Sequence, residues 1–185
     1  MTNHHHLNAR KQQKGQMSIE LAIVVAIVVL ILAGIIYYTT QGRKGTKLNS
    51  EASAMTAIVG ATQKLYNADP NGYANVAAQD LINNGVIPAS MVVAGAITSG
   101  FGTPITVAPA TLYNAGDGVA FSEAVSPDDC SAYVQAVASD FAKITVAGTA
   151  VKDSTANQAL TAATLGTQCS GTNGANVPLV LTASR

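Results

Sequence analysis

Apolar and polar positions divide this chain into unequal parts. From Leu21 to Ile36 the run LAIVVAIVVLILAGII carries no polar side chain, and Tyr37-Tyr38 extend it to eighteen residues. At about 1.5 Å per residue, a helix of that length just spans a thin hydrocarbon layer, with the tyrosines at an interface. Arg43, Lys44 and Lys47 follow as a cationic stop. The pattern then changes rather than ends. Leu48, Ala52, Met55, Val59, Thr62 and Tyr66 recur at alternating four- and three-residue steps, with Ile58 and Leu65 beside them. Ser50, Glu51, Ser53, Gln63 and Lys64 fall largely on the other face. That spacing predicts an amphipathic helix whose apolar stripe must be covered. Together the two patterns predict one long N-terminal helix, bare in its first half and amphipathic in its second. Gly42 and Gly45 are its weak points, and Asp69-Pro70-Asn71-Gly72 ends it.

After Gly72 the periods shorten. Ala77–Pro88 reads as a short helix stopped at Asn84-Gly85, and 90–100 is ambiguous. Strands are predicted over Pro104–Tyr113, Val119–Val125, Lys143–Ala150 and Val177–Ala183. Between the second and third lies SPDDCSAYVQAVASDF, a helix with Ser126 as cap, Pro127 in its first position and Asp128-Asp129 complementing the dipole. Cys130, Tyr133, Val134, Val137 and Phe141 line one face of it. Residues 153–176 are polar and loop-rich, with room for one short helix. The expected fold class is α+β: the long helix packed on a small antiparallel sheet, with a second helix before the final strands.

Charge is balanced overall, at ten basic and ten acidic residues, but it is unevenly placed. The first fifteen residues hold Arg10, Lys11 and Lys14 and no acid. From Asn49 onward four basic residues (Lys64, Lys143, Lys152, Arg185) face nine acids, a net of five negative charges. A nucleic-acid-binding head would be basic, so that class is excluded for the head. With charged residues at only 11% of the chain, its weakly charged surface suits an extracellular setting. The apolar run exceeds the usual h-region of a secretory signal, and YYTTQGRKG offers no small-x-small cleavage site.

Chemistry is sparse. All three histidines, His4 to His6, lie in the basic leader, so the rest of the chain has no material for a Ser-His-Asp or Cys-His nucleophile. No phosphate-binding glycine pattern occurs, and Asp128-Asp129 reads as helix capping. Enzyme activity, cofactors and a metal centre are therefore not expected. Cys130 and Cys169 lie far apart with no CxxC and no neighbouring histidine, which argues against metal ligation. They are a structural disulfide if the domain is exported, and otherwise two buried thiols.

One short stretch ties these parts together. In KGQMSIELAIVV a basic leader ends at Gly15, and Glu20 stands at the mouth of the most apolar part of the chain. A leader ending in glycine, with glutamate five residues on and an apolar helix after it, resembles the type IV pilins. SEASAMTAIVGATQKLY, GFGTPITVAPA and DDCSAYVQAVA resemble the type IVb subgroup, which includes bundle-forming and conjugative thin-pilus pilins. The resemblance implies a basic leader over 1–15 that is removed, an apolar transmembrane and assembly helix over 16–48, and a globular head over 49–185 that includes the second half of the helix. It implies cleavage between Gly15 and Gln16 by a prepilin peptidase and N-methylation of Gln16, where the family more often has an apolar residue. It also implies subunit assembly through Glu20 and a disulfide between Cys130 and Cys169 closing the C-terminal region.

The function so implied is that of a major pilin, made at the inner membrane of a Gram-negative bacterium and polymerised into an extracellular pilus for adhesion, aggregation or conjugation. Its implied partners are other copies of the chain, the peptidase, an inner-membrane assembly platform with its ATPase, and an outer-membrane secretin. Two other readings share parts of the pattern. A minor pilin or type II secretion pseudopilin would have the same N-terminus, and an exported binding domain on a signal anchor would have the same apolar run.

Overall fold

The computed structural model describes residues 13–170 and 175–185, with the side chains of 13–20 and 35–44 outside that description. It forms two compact units, Met1–Gly45 and Thr46–Arg185. Helix α1, Gln13–Tyr66, contributes to both, and it stays helical through Gly42 and Gly45.

In the first unit every side chain from Leu21 to Gly34 is exposed. In the second, Ala52, Met55, Ile58, Val59, Thr62 and Tyr66 are buried, the stripe predicted from the four- and three-residue steps. Two residues depart from that reading. Leu65 is exposed, and Glu51, expected on the solvent face, is buried. After Tyr66 the Arg185 guanidinium donates to the carbonyls of Asn67 and Asp69 at 2.8 and 2.9 Å, satisfying acceptors just past the helix end. Gly72 then turns the chain at φ 58°, where a Cβ would lie 2.4 Å from the Gly116 carbonyl oxygen.

Helix α2, Ala78–Asn83, buries Leu81 and stops before Gly85 at φ 68°. The ambiguous segment is a small antiparallel hairpin, β1 (Val92–Val93) and β2 (Ala96–Ile97), turned at Ala94-Gly95. Five strands make the main sheet: β3 (Thr106–Ala110), β4 (Gly118–Val125), β5 (Lys143–Val146), β6 (Thr149–Asp153) and β7 (Val177–Ser184). Their spatial order is β3-β4-β7-β5-β6, and every pairing is antiparallel. The C-terminal strand therefore lies in the middle. The segment 143–150, read as one strand, is a hairpin instead: Ala147 and Gly148 both take positive φ, the two-residue turn that a right-twisted hairpin favours.

Alternation explains the buried face. Val119, Phe121, Glu123 and Val125 of β4 point inward, in register with Ala183, Leu181, Leu179 and Val177 of β7. Helix α3, Pro127–Val137, contributes Cys130, Tyr133, Val134 and Val137 to the same core, capped as expected by Ser126. Helix α4, Ala162–Cys169, is the short helix within the polar segment and buries Leu165 and Cys169.

Candidate functional site

Three features could carry function: the bare half of α1, the disulfide that closes the head, and a pair of buried carboxylates. Gly15, Gln16 and Glu20 all belong to α1, but their side chains lie outside the described residues. Directly beyond them, ten large aliphatic side chains between Leu21 and Leu32 are exposed, each by about half or more. Covering them would stabilise the chain by something on the order of 10 kcal/mol, at roughly 1 kcal/mol for each half-exposed group. Water is a poor environment for such a surface. No helix among the described residues is long and apolar enough to cross a membrane, and the expected span ends on Ile35–Tyr38, whose side chains are not described.

Cys130 of α3 and Cys169 of α4 form a disulfide, with their Cα atoms 5.6 Å apart across a separation of 39 residues. Both are buried. The bond ties together two helices joined by β5, β6 and a polar loop. In the chain-entropy model, closing a loop of this length contributes about 4 kcal/mol.

The carboxylates come from different elements. Glu51 of α1 accepts a hydrogen bond from the Gly100 amide at 2.7 Å through Oε2. A side chain at Gly100 would collide with it, since a Cβ there would sit 2.3 Å from that oxygen. Glu123 of β4 accepts from the Tyr133 hydroxyl at 2.7 Å through Oε1. Glu51 Oε1 and Glu123 Oε2 are buried without a hydrogen-bond partner. Burial pushes Glu123 up to about 7 against the pull of the Tyr133 hydrogen bond, and the negative charge of Glu51 adds to the rise. Glu51 is raised as well, by burial first, opposed by the Gly100 amide and by Lys47. The Phe101 ring packs edge-on to Tyr133 with centroids 5.2 Å apart, and Lys47 Nζ lies 5.7 Å from the centre of Phe101.

Known proteins carry the same architecture. The family model described as PilS N terminal matches residues 46–184. The chain belongs to the PilS family. Two solved structures share the fold of its head: TcpA, a type IV pilin from the Vibrio cholerae El Tor biotype, and a type IVb pilin from Salmonella typhi. TcpA is 18% identical with a TM-score of 0.57, over 75% of this chain and 99% of its own. The Salmonella pilin is 19% identical with a TM-score of 0.56, over 71% of this chain and 97% of its own. No curated protein sequence matches significantly.

The PilS head thus has the type IV pilin fold, with the helix on an antiparallel sheet and the Cys130–Cys169 bond that the resemblance implied. The structure brings the two cysteines together. Gly15, Gln16 and Glu20 are left to experiment. Sequence reading missed the carboxylate pair, although one signal was present: Glu123 interrupts the inward alternation of Val119, Phe121 and Val125. Glu51 gave none, because a charged residue beside an apolar stripe ordinarily faces water.

Proposed function

We propose that this chain is the major structural subunit of a type IVb pilus. The observation that carries the reading is the run of exposed apolar side chains from Leu21 to Gly34 on the helix that continues into a PilS head. Such a surface needs lipid before assembly and neighbouring helices after it. In this reading residues 1–15 are a leader, and a prepilin peptidase cuts between Gly15 and Gln16. Residues 16–48 then serve first as membrane anchor and later as filament core, while 49–185 form the head. The subunit is extracted from the inner membrane by a platform with an ATPase and leaves through an outer-membrane secretin. It is a polymer subunit rather than an enzyme.

Glu20 acquires a role in this scheme. A carboxylate at the bilayer centre costs roughly 2.5–3.5 kcal/mol on insertion scales, and less near a helix end. Cleavage creates an α-amino group on Gln16, methylated in the mature subunit, which can pair with Glu20 of a neighbour. A buried charge left without its partner is strongly penalised, so the pair enforces the stagger between subunits. Glu20→Ala should therefore leave processed protein in the membrane and abolish or misregister the filaments. Normal filaments from that variant would overturn the pairing. N-terminal sequencing of the mature protein should begin at Gln16, and a different start would remove the cleavage assignment. A dominant band in sheared surface filaments marks a major pilin, and a trace band marks a minor one.

A further inference from the structure

An asparagine followed by glycine is especially prone to lose its side-chain amide, because glycine has no side chain to shield its own backbone nitrogen. Two such pairs, Asn71-Gly72 and Asn84-Gly85, are among the described residues, and a third, Asn173-Gly174, lies outside them. The reaction is internal. The glycine nitrogen, once it has lost its proton, attacks the asparagine Cγ; the new C–N bond closes a cyclic imide and ammonia leaves. Water then opens either carbonyl of the ring, leaving aspartate or isoaspartate. The first step needs a glycine amide free of hydrogen bonds, so its rate follows how often the native turn opens.

The two turns differ in what opening costs. The Gly72 amide donates to the Asp69 carbonyl at 3.0 Å, and beside it the Tyr73 amide donates to the Gly116 carbonyl at 2.8 Å. Gly72 and Tyr73 are both buried, and the Arg185 guanidinium holds the Asn67 and Asp69 carbonyls. Opening that turn disturbs the seat of a buried tyrosine and the clamp on the end of α1. Asn84-Gly85 has no such support. Asn83, Asn84 and Gly85 are all exposed, and nothing lies within 4 Å of where a Cβ on Gly85 would stand. The Gly85 amide donates to the Ile82 carbonyl at 3.0 Å and the Val86 amide to the Leu81 carbonyl at 2.9 Å. These are the paired bonds that end a helix on a left-handed glycine. The helix they end is α2, six residues long, with no side-chain cap bond at its start and Leu81 as its buried residue. So short a helix has little cooperative hold on its last turn.

We propose that Asn84 is a spontaneous deamidation site of the head, with water as the co-reactant, and that the charge gained there unwinds α2. The Asn84 side chain donates from Nδ2 to the Asp80 carbonyl at 2.8 Å. A carboxylate in its place has no proton to donate and meets that carbonyl as a second acceptor. It stands four residues after Asp80, a like-charge spacing that destabilises a helix. It also stands at the C-terminal end of α2, where the helix dipole opposes a negative charge. The isoaspartyl product adds a backbone carbon before Gly85. That insertion pulls the Gly85 and Val86 amides out of line with the Ile82 and Leu81 carbonyls they now reach.

The test ages the full chain in detergent micelles at mildly alkaline pH and follows both pairs by peptide mapping with mass spectrometry. In the folded chain Asn84 should convert at least about tenfold faster than Asn71, and in urea the two rates should become similar. Equal rates in the folded chain would overturn the assignment. So would an Asn84 that stays intact while the urea-unfolded chain converts. Hydrogen exchange on the aged sample should be quicker from Leu81 to Val86 in converted molecules than in unconverted ones. Asn84→Asp separates the charge from the isoaspartyl insertion. Its excess exchange over that segment, corrected for the intrinsic rate, should shrink when acid protonates the new carboxylate. Exchange equal to wild type in both the converted chain and the variant would overturn the unwinding.

Discussion

The two halves of α1 are the same secondary structure with opposite relations to their surroundings. Leu21–Gly34 exposes every side chain, including ten large aliphatic ones, whereas beyond Thr46 the helix buries Glu51 and the stripe from Ala52 to Tyr66. Propensity does not separate them, because Val and Ile in the first half are weaker helix formers than the Ala-rich second half. Periodicity does. A helix apolar all round has no preferred face, so the head cannot cover it and only lipid or other helices can. A helix with one apolar stripe chooses its own orientation on a sheet. One half therefore leaves its apolar side chains exposed, and the other covers its stripe within the head.

The largest break in this contrast should come from the disulfide, because it acts on the head alone. Replacing Cys130 and Cys169 together by Ala should cost the head about 4 kcal/mol through the lost loop constraint, read as a drop in its denaturation midpoint. The helicity of the first half in micelles should not change. A parallel loss there would mean that the two units unfold as one.

A closer comparison places one substitution in each half. Met55 is completely buried and Ile27 is half-exposed. Met55→Ala should destabilise the head by about 3 kcal/mol, combining lost transfer energy with a cavity. Ile27→Ala should leave head stability within about 0.5 kcal/mol and instead reduce filament yield. Chemical denaturation followed by the aromatic resonances of Phe121 and Phe141 reads the head, and sheared filament mass reads the other half. Equal destabilisation of the head by both changes would erase the distinction between them.

Much of this contrast was legible in the sequence, because period carries it. The stripe from Leu48 to Tyr66, the Ser126-Pro127 cap and the strands at 119–125 and 177–183 are all short-range patterns. The head was less legible where a structure depends on contacts distant in sequence. Lys143–Ala150 looks like one β-rich run, and only the positive φ at Ala147 and Gly148 folds it into a hairpin. Glu51 looks solvent-facing until the Gly100 amide, 49 residues away, is brought to it. The order β3-β4-β7-β5-β6 has no local signature either. Inserting the last strand at the centre is a choice made by inward-facing residues on β4, β5 and β7 together.

The smallest predicted effect sharpens the comparison at the edge strand β6, far in sequence from the bare helix. Asp153 accepts from Lys143 Nζ at 2.8 Å, and from the Thr155 amide and hydroxyl at 3.0 and 2.6 Å. The Lys143 and Thr155 hydrogen bonds hold its carboxyl down to about 2. A lowered value has the opposite sign to that of Glu123: stability is present above the ordinary carboxylate range and is lost as pH falls through about 2. The Lys143 side chain is 40% exposed, so solvent screening limits the contribution to about 1 kcal/mol. Asp153→Asn should lower the unfolding free energy of the head by that amount at pH 7, and its curve should converge on wild type toward pH 2. The helicity of Leu21–Gly34 should be indifferent to the change. An undiminished gap between the two curves at pH 2 would show that the aspartate acts through packing rather than through its charge.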